Sequence, residues 1–265
     1  MKHLVFAALA CATTMGSAWA QPVVPEIIEG VALRLPERTE VYHERHEIGT
    51  LGHRIEYRAP DGTLIARNAL DYHCSESAPA FEQHDLRSDS RIGARWQHGE
   101  YLLLRGGEMR ALEPAATLVA SSGFDRFVRA NWEALAAGDS IDVDFALPAR
   151  LQTLRLRMER TEAPEELPGS ALWLRIVPVQ PLLRAFVDPI ELAYDSGRRL
   201  VLYRGLSNLD GADGKALNVE IRYRPVSGED RAREREIAAT APAMTEPAAD
   251  APRTPDQLHC SRENS

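Results

Sequence analysis

Apolar and polar residues alternate with a period of two along most of the chain between residues 40 and 224. The segment "SIDVDFALPARLQTLRLRMER" is the most legible case. Ile141, Val143, Phe145 and Leu147 alternate with Asp142 and Asp144. Beyond Pro148, Leu154, Leu156 and Met158 alternate with Arg155, Arg157 and Glu159. A loop over Pro148 to Leu151 predicts a hairpin with Phe145 facing Leu154, Val143 facing Leu156 and Ile141 facing Met158. The same register sets Asp144 opposite Arg155 and Asp142 opposite Arg157, each pair contributing ~0.2–1 kcal/mol. A slip of one residue would turn the charges into the apolar face.

The pattern recurs in "GHRIEYRAPDGTLIARNALDY", a hairpin with its turn at Pro60-Asp61-Gly62. It recurs again in "TEVYHERHEI", "EYLLLRG", "EMRALEP", "ALWLRIVPV", "PIELAYD", "RRLVLYRG" and "ALNVEIRYR". About eleven strands are expected in all. One segment departs from the pattern. "SSGFDRFVRANWEALAAG" carries Phe124, Phe127, Val128, Trp132 and Leu135 at spacings of three and four, with Ser122 and Asp125 as a capping box and Gly138 as a stop. It predicts one amphipathic helix of about four turns. "PLLRAFV" predicts a short helical turn.

Eleven strands at ~4.8 Å spacing make a sheet about 50 Å wide. A helix ~10–12 Å thick cannot cover the apolar face of such a sheet, so the sheet must curl or split. The expected fold is mainly β with one prominent helix: a curled antiparallel sheet, barrel or half-barrel. Sheets of more than eight strands tend to leave interior room.

The stretch "LYRGLSNLDGADGKALNVEIRYR" resembles a site but fails each test. With Gly214 as the sixth residue of a calcium loop, the first and third positions are Leu209 and Gly211. With Gly211 there, the first is Leu206 and the twelfth Leu217. Lys215 is followed by Ala216-Leu217 and strand, not by Ser or Thr opening a helix. Two residues after Ser207 stands Leu209, where a nucleophile elbow needs glycine. The stretch therefore predicts a polar hairpin loop, with Leu217, Val219, Ile221 and Tyr223 inward on the return strand.

His43, His46, His53, His73, His84 and His98 fall in the N-terminal part, with Cys74 beside one of them. No tight ligand spacing appears among them, and His43 and His46 lie on opposite faces of their strand. No metal site is expected. Asp188 and Asp195 flank a short strand and are expected as turn residues rather than an acid–base pair. No catalytic residues and no cofactor are assigned.

The chain opens "MKHLVFAALACATTMGSAWAQPVVPE". Lys2, an apolar run to Met15 and Ala18-Trp19-Ala20 predict a cleaved signal peptide over residues 1–20. Lipid attachment at Cys11 is the alternative, but Ala8 stands where a lipobox has leucine. The run is too short to span a bilayer, and no later stretch reaches ~20 apolar residues. The expected location is the periplasm. A β-rich domain is expected over 21–225, and a disordered acidic Ala/Pro-rich tail over 226–265.

Net charge is -8, and of the 31 basic residues only Lys2 and Lys215 are lysines. Arginines spread along an acidic chain do not form the basic face that nucleic acid requires. Cys74 and Cys260 remain after processing. An oxidising compartment permits a disulfide between them, against two unpaired thiols.

The set "HRIEYRAPDGTLIARNALDY", "SGFDRFVRANWEAL", "FVDPIELAYD" and "RRLVLYRGLSN" resembles motifs of exported proteobacterial proteins of unknown function. The likeness covers most of residues 40–224 and implies no activity. In architecture the chain is similar to periplasmic lipoprotein carriers, whose half-barrel lies over a hydrophobic cavity. Two functions follow as expectations. One is an apolar ligand, a lipid or fatty acid, held inside, with Phe124, Phe127, Val128, Trp132 and Leu135 at the mouth. The other is a non-catalytic interaction or scaffold protein of the cell envelope with a packed core.

Overall fold

The computed structural model describes residues 25–113, 115–164, 169–211, 213–232 and 260. The expected signal peptide and most of the expected tail lie outside them. Fifteen strands among the described residues form a single sheet. The first run is β1 (Glu26–Arg34), β2 (Thr39–Ile48), β3 (Gly52–Arg58), β4 (Leu64–Asp71), β5 (Ala80–Asp85), β6 (Ser90–Gln97), β7 (Glu100–Arg105) and β8 (Glu108–Leu112). After β9 (Leu118–Val119) come two helices, α1 (Gly123–Ala130) and α2 (Trp132–Ala137). The second run is β10 (Ile141–Leu147), β11 (Gln152–Arg160), β12 (Leu172–Pro178), β13 (Ile190–Tyr194), β14 (Leu200–Leu206) and β15 (Asn218–Pro225).

Each run is an antiparallel meander, and β1 pairs with β15 to join them. The sheet curls but does not close. Its edges are β8 and β9, the latter parallel to β10. Side chains span the seam instead of a backbone ladder. Arg105 Nη1 donates to Ala149 O at 3.0 Å, and Arg110 Nη1 to Leu151 O at 3.1 Å. Both carbonyls lie in the turn between β10 and β11, where Leu151 adopts φ 51°.

The hairpin of β10 and β11 has the expected register: Phe145 opposite Leu154, Val143 opposite Leu156, Ile141 opposite Met158, Asp142 opposite Arg157 and Asp144 opposite Arg155. Arg157 Nε reaches Asp142 at 2.7 Å. The Pro60-Asp61-Gly62 turn also forms, with Asp61 accepting from Thr63 N and Gly62 at φ 87°.

Four strands exceed the sequence expectation: β1, β5, β6 and β9. In β1 the inward positions include Gly30 and Ala32, which carry no apolar bulk to mark a strand. At Gly30 the smallness is required. A Cβ on Gly30 would lie 2.8 Å from side-chain atoms of Ile221 and Tyr223 on the neighbouring strand. In β5 the inward pair is Phe81 and Gln83, half of it polar.

The helix also differs from expectation. It breaks at Asn131 (φ -105°, ψ 19°), whose side chain donates to Phe127 O at 2.8 Å. The capping box does not form: Ser122 makes no side-chain cap bond, and Asp125 pairs forward with Arg129 at 2.7 Å. A carboxylate one turn before an arginine finds a full charge there, which outcompetes a backbone N–H. Gly138 ends α2 in the left-handed region at φ 100°. The expected turn in "PLLRAFV" is a 3-10 turn over Leu183–Ala185.

Two apolar clusters fill the concave side. One gathers Tyr42, Ile55, Tyr57, Leu70, Tyr101 and Leu103 with Leu209, Val219 and Ile221. The other seats α1 and α2 on Val143, Met158, Leu174, Leu192 and Tyr194. Val128 and Leu135 are fully buried, each contributing roughly 1.5–3 kcal/mol.

Candidate functional site

The period of two carries polar as well as apolar residues inward. On β2 it buries Tyr42 and Glu44, with His46 next on the same face; on β3 it buries His53, Ile55 and Tyr57. The short turn between these strands brings His46 and His53 into diagonal contact, because His46 pairs with Ile55 and Ile48 with His53. The result is a chain of polar groups through the concave side. Tyr223 donates to Glu44 Oε2 at 2.9 Å, and His46 Nε2 meets the same oxygen at 2.9 Å. His46 Nδ1 faces His53 Nε2 at 2.9 Å, and His53 Nδ1 faces the Tyr72 hydroxyl at 3.3 Å. The Arg126 guanidinium from α1 lies 3.6 Å from the Tyr72 ring centroid.

One set of donor and acceptor roles, inferred from the network, makes each of these contacts a hydrogen bond. Tyr72 donates to His53, His53 to His46, and His46 to Glu44. Burial first, then the His46 imidazole and the Arg126 guanidinium, hold His53 well below its ordinary range. Burial likewise pushes the Tyr72 hydroxyl up to about 12. Both shifts favour the neutral forms of His53 and Tyr72, so the chain is a continuous row of hydrogen bonds. It does not converge on a point. Each imidazole nitrogen already faces a partner, and no group of three or more His, Cys, Asp or Glu among the described residues could hold a metal ion.

Among the described residues, the other four histidines lie apart from this chain. His43 pairs with Glu40, His73 with Asp71 and His84 with Asp89 on the exterior; His98 sits in the left-handed turn before Gly99. Chain spacing alone hides the His46–His53 contact. Strand parity across the short turn is the signal that finds it.

A second polar group caps the interior from the loop between β14 and β15, where the exposed Asn208 bonds to buried partners. Asn208 donates to the Tyr57 hydroxyl at 2.7 Å and to Gln83 Oε1 at 2.9 Å, and Gln83 returns a bond to Asn208 O at 2.8 Å. Ser207 Oγ meets the Tyr42 hydroxyl at 2.9 Å. Leu209, next in the chain, is buried.

Phe127, Val128, Trp132 and Leu135 lie together on the inner face of the two helices, with Phe124 half-buried beside them. Their neighbours are sheet side chains: the Trp132 ring stands edge-on to Tyr194 with centroids 5.8 Å apart, and Phe124 meets Tyr203 at 6.5 Å. An open depression of about 680 Å³ lies beyond Gly138, between Arg160, Ser170 and Trp173. None of the five helix residues lines it.

Asp188 and Asp195 stand at opposite ends of β13 and do not meet. Asp188 accepts from Asn218 at 2.9 Å, and Asp195 caps its turn by accepting from Gly197 N and Arg199 N. On the outer face, Glu220 is fully buried beneath Arg38, Arg204 and Arg222. Cys74 and Cys260 are joined by a disulfide, with Cα atoms 5.3 Å apart and a sequence separation of 186.

Comparison with protein-family models finds no match, and neither does comparison with curated proteins. Among solved structures, the chain is similar to a β-barrel-like protein of the domain of unknown function DUF1849 from Brucella abortus. The TM-score is 0.47 at 8% identity, covering 77% of this chain and 97% of that one. No helix among the described residues is long and apolar enough to cross a membrane.

Proposed function

We propose that the chain is an exported, non-catalytic interaction protein of the cell envelope whose interior is filled by its own side chains. The observation that carries this reading is the filling of the concave side from two directions. The helices occupy it against β10 to β13, and the loop after β14 covers it, with Leu209 buried and the exposed Asn208 bonded to the buried Tyr57 and Gln83. The residues that would have lined a ligand chamber are spent on the sheet: Val128 and Leu135 have no exposed surface. The Ala18-Trp19-Ala20 pattern supports export, and the Cys74–Cys260 link suits an oxidising compartment.

The test is solvent extraction of the purified protein followed by mass spectrometry, together with titration by a fluorescent fatty acid. No stoichiometric lipid and no saturable binding are expected. A ligand held at one copy per chain would overturn the reading and restore the interior lipid site, with Phe124, Phe127, Val128, Trp132 and Leu135 around it.

A further inference from the structure

The connection between β12 and β13 carries its large apolar side chains outward. Leu182 is 76% exposed and Phe186 80%, values that core-type residues reach only when nothing in the fold shelters them. Val187 adds to the same tip. Leu206 (52% exposed) lies beside it on β14, one residue after Gly205, whose Cβ position is 3.0 Å from Ile190.

Two properties of this tip select its partner. The first is its backbone. The amides of Leu183, Arg184, Ala185, Phe186 and Val187 each donate within the loop, to Gln180, Pro181, Leu182 and, for the last two, Leu183. Residue 181 is proline and has no amide hydrogen. Five amides of the tip are thus satisfied within the turn, which lowers the cost of bringing it into an apolar phase. The second is Arg184, an exposed cation with no acidic partner among the described residues, held at the base of the tip by its Nε bond to Pro178 O. A convex apolar tip above a cation matches the layering of a phospholipid surface, acyl chains beneath phosphates.

We propose that Leu182, Phe186 and Val187 insert into the interfacial layer of a phospholipid bilayer, with Arg184 against the lipid phosphates. The inference rests on the envelope-protein reading above and names the surface and partner. Because the chain carries a net charge of -8, long-range attraction to anionic lipid is absent and insertion is the driving term.

The test is flotation of the full chain, expressed with export, on vesicles of phosphatidylethanolamine and phosphatidylglycerol. The wild type is expected to float with the vesicles and to keep doing so in about 0.5 M salt, where exposed charge attraction is screened. The double variant Leu182→Ser, Phe186→Ser is expected to lose at least tenfold in partitioning with its circular dichroism and urea midpoint unchanged. Arg184→Gln is expected to lose several-fold. Wild type that stays off the vesicles, or a double variant that floats equally well, would overturn the proposal. So would retention of the loop by an envelope protein in place of lipid. A lipid recovered at one copy per chain from wild type and double variant alike would instead count against the filled interior, which keeps the two readings separable.

Discussion

Asn208 donates its side-chain amide to the hydroxyl of Tyr57 at 2.7 Å, across 151 residues of sequence. The bond joins the loop after β14 to the end of β3 and brings Gln83 of β5 into the same exchange. It ties an exposed hairpin connection to buried side chains of the interior.

Asn208 is itself exposed, but its side-chain amide serves two buried acceptors. Asn208→Ala leaves the Tyr57 hydroxyl and Gln83 Oε1 buried without this partner and should cost about 1–3 kcal/mol in urea unfolding. Asp210→Ala, two residues along on the exposed part of the loop, should stay within about 0.5 kcal/mol. Equal costs would show that Asn208 does not hold the two buried groups.

The imidazole chain predicts acid sensitivity with a definite sign. His53 binds its proton less readily in the folded protein than at the ordinary pKa of 6.5. As pH falls through 6.5 the unfolded chain takes up the proton first, so stability is full above that value and declines below it. Urea midpoints measured from about pH 8 to pH 5 should fall on the acid side, and His53→Gln should flatten that limb. A wild-type midpoint constant over this range would contradict the buried neutral assignment.

Glu220 should act lower on the pH scale. Burial alone would raise its pKa, but hydrogen bonds from Arg38, Arg204 and Arg222 outweigh burial and lower it from 4.5 to about 2. Its stabilisation is present above pH 4.5 and lost as pH falls toward 2. The shift corresponds to at most about 3 kcal/mol, and nearer 1–2 kcal/mol once solvent around the part-exposed arginines is allowed for. Glu220→Gln should lower stability at neutral pH by that amount and remove the corresponding part of the acid limb. An unchanged acid limb would show that the three arginines do not hold the carboxylate ionised.

The architecture was legible wherever a strand buries large apolar residues on one face. Ile141 to Met158 declare both their partner and their register, because one slip would bury aspartate and arginine. The legibility fails in β1 and β5, where inward positions are glycine, alanine or glutamine. It fails also for the pair His46 and His53, whose contact depends on strand parity across a turn rather than on spacing along the chain. Asn131 shows a third limit. The helical spacing of Phe124 to Leu135 continues through it, yet its side chain takes the Phe127 carbonyl and breaks the helix.

Local alternation, turn residues and the breadth of apolar strand thus determined that this chain makes a curled antiparallel sheet. These are properties of neighbouring residues, and burial of one face enforces them strand by strand. The content of the curl was decided only by tertiary structure. Whether Glu44, His46 and His53 meet, whether Asn208 reaches Tyr57, and whether Phe186 stays outside depend on which distant strands lie opposite one another. That choice is set by the pairing of β1 with β15 in the middle of the sheet, a contact between distant strands that no local pattern encodes.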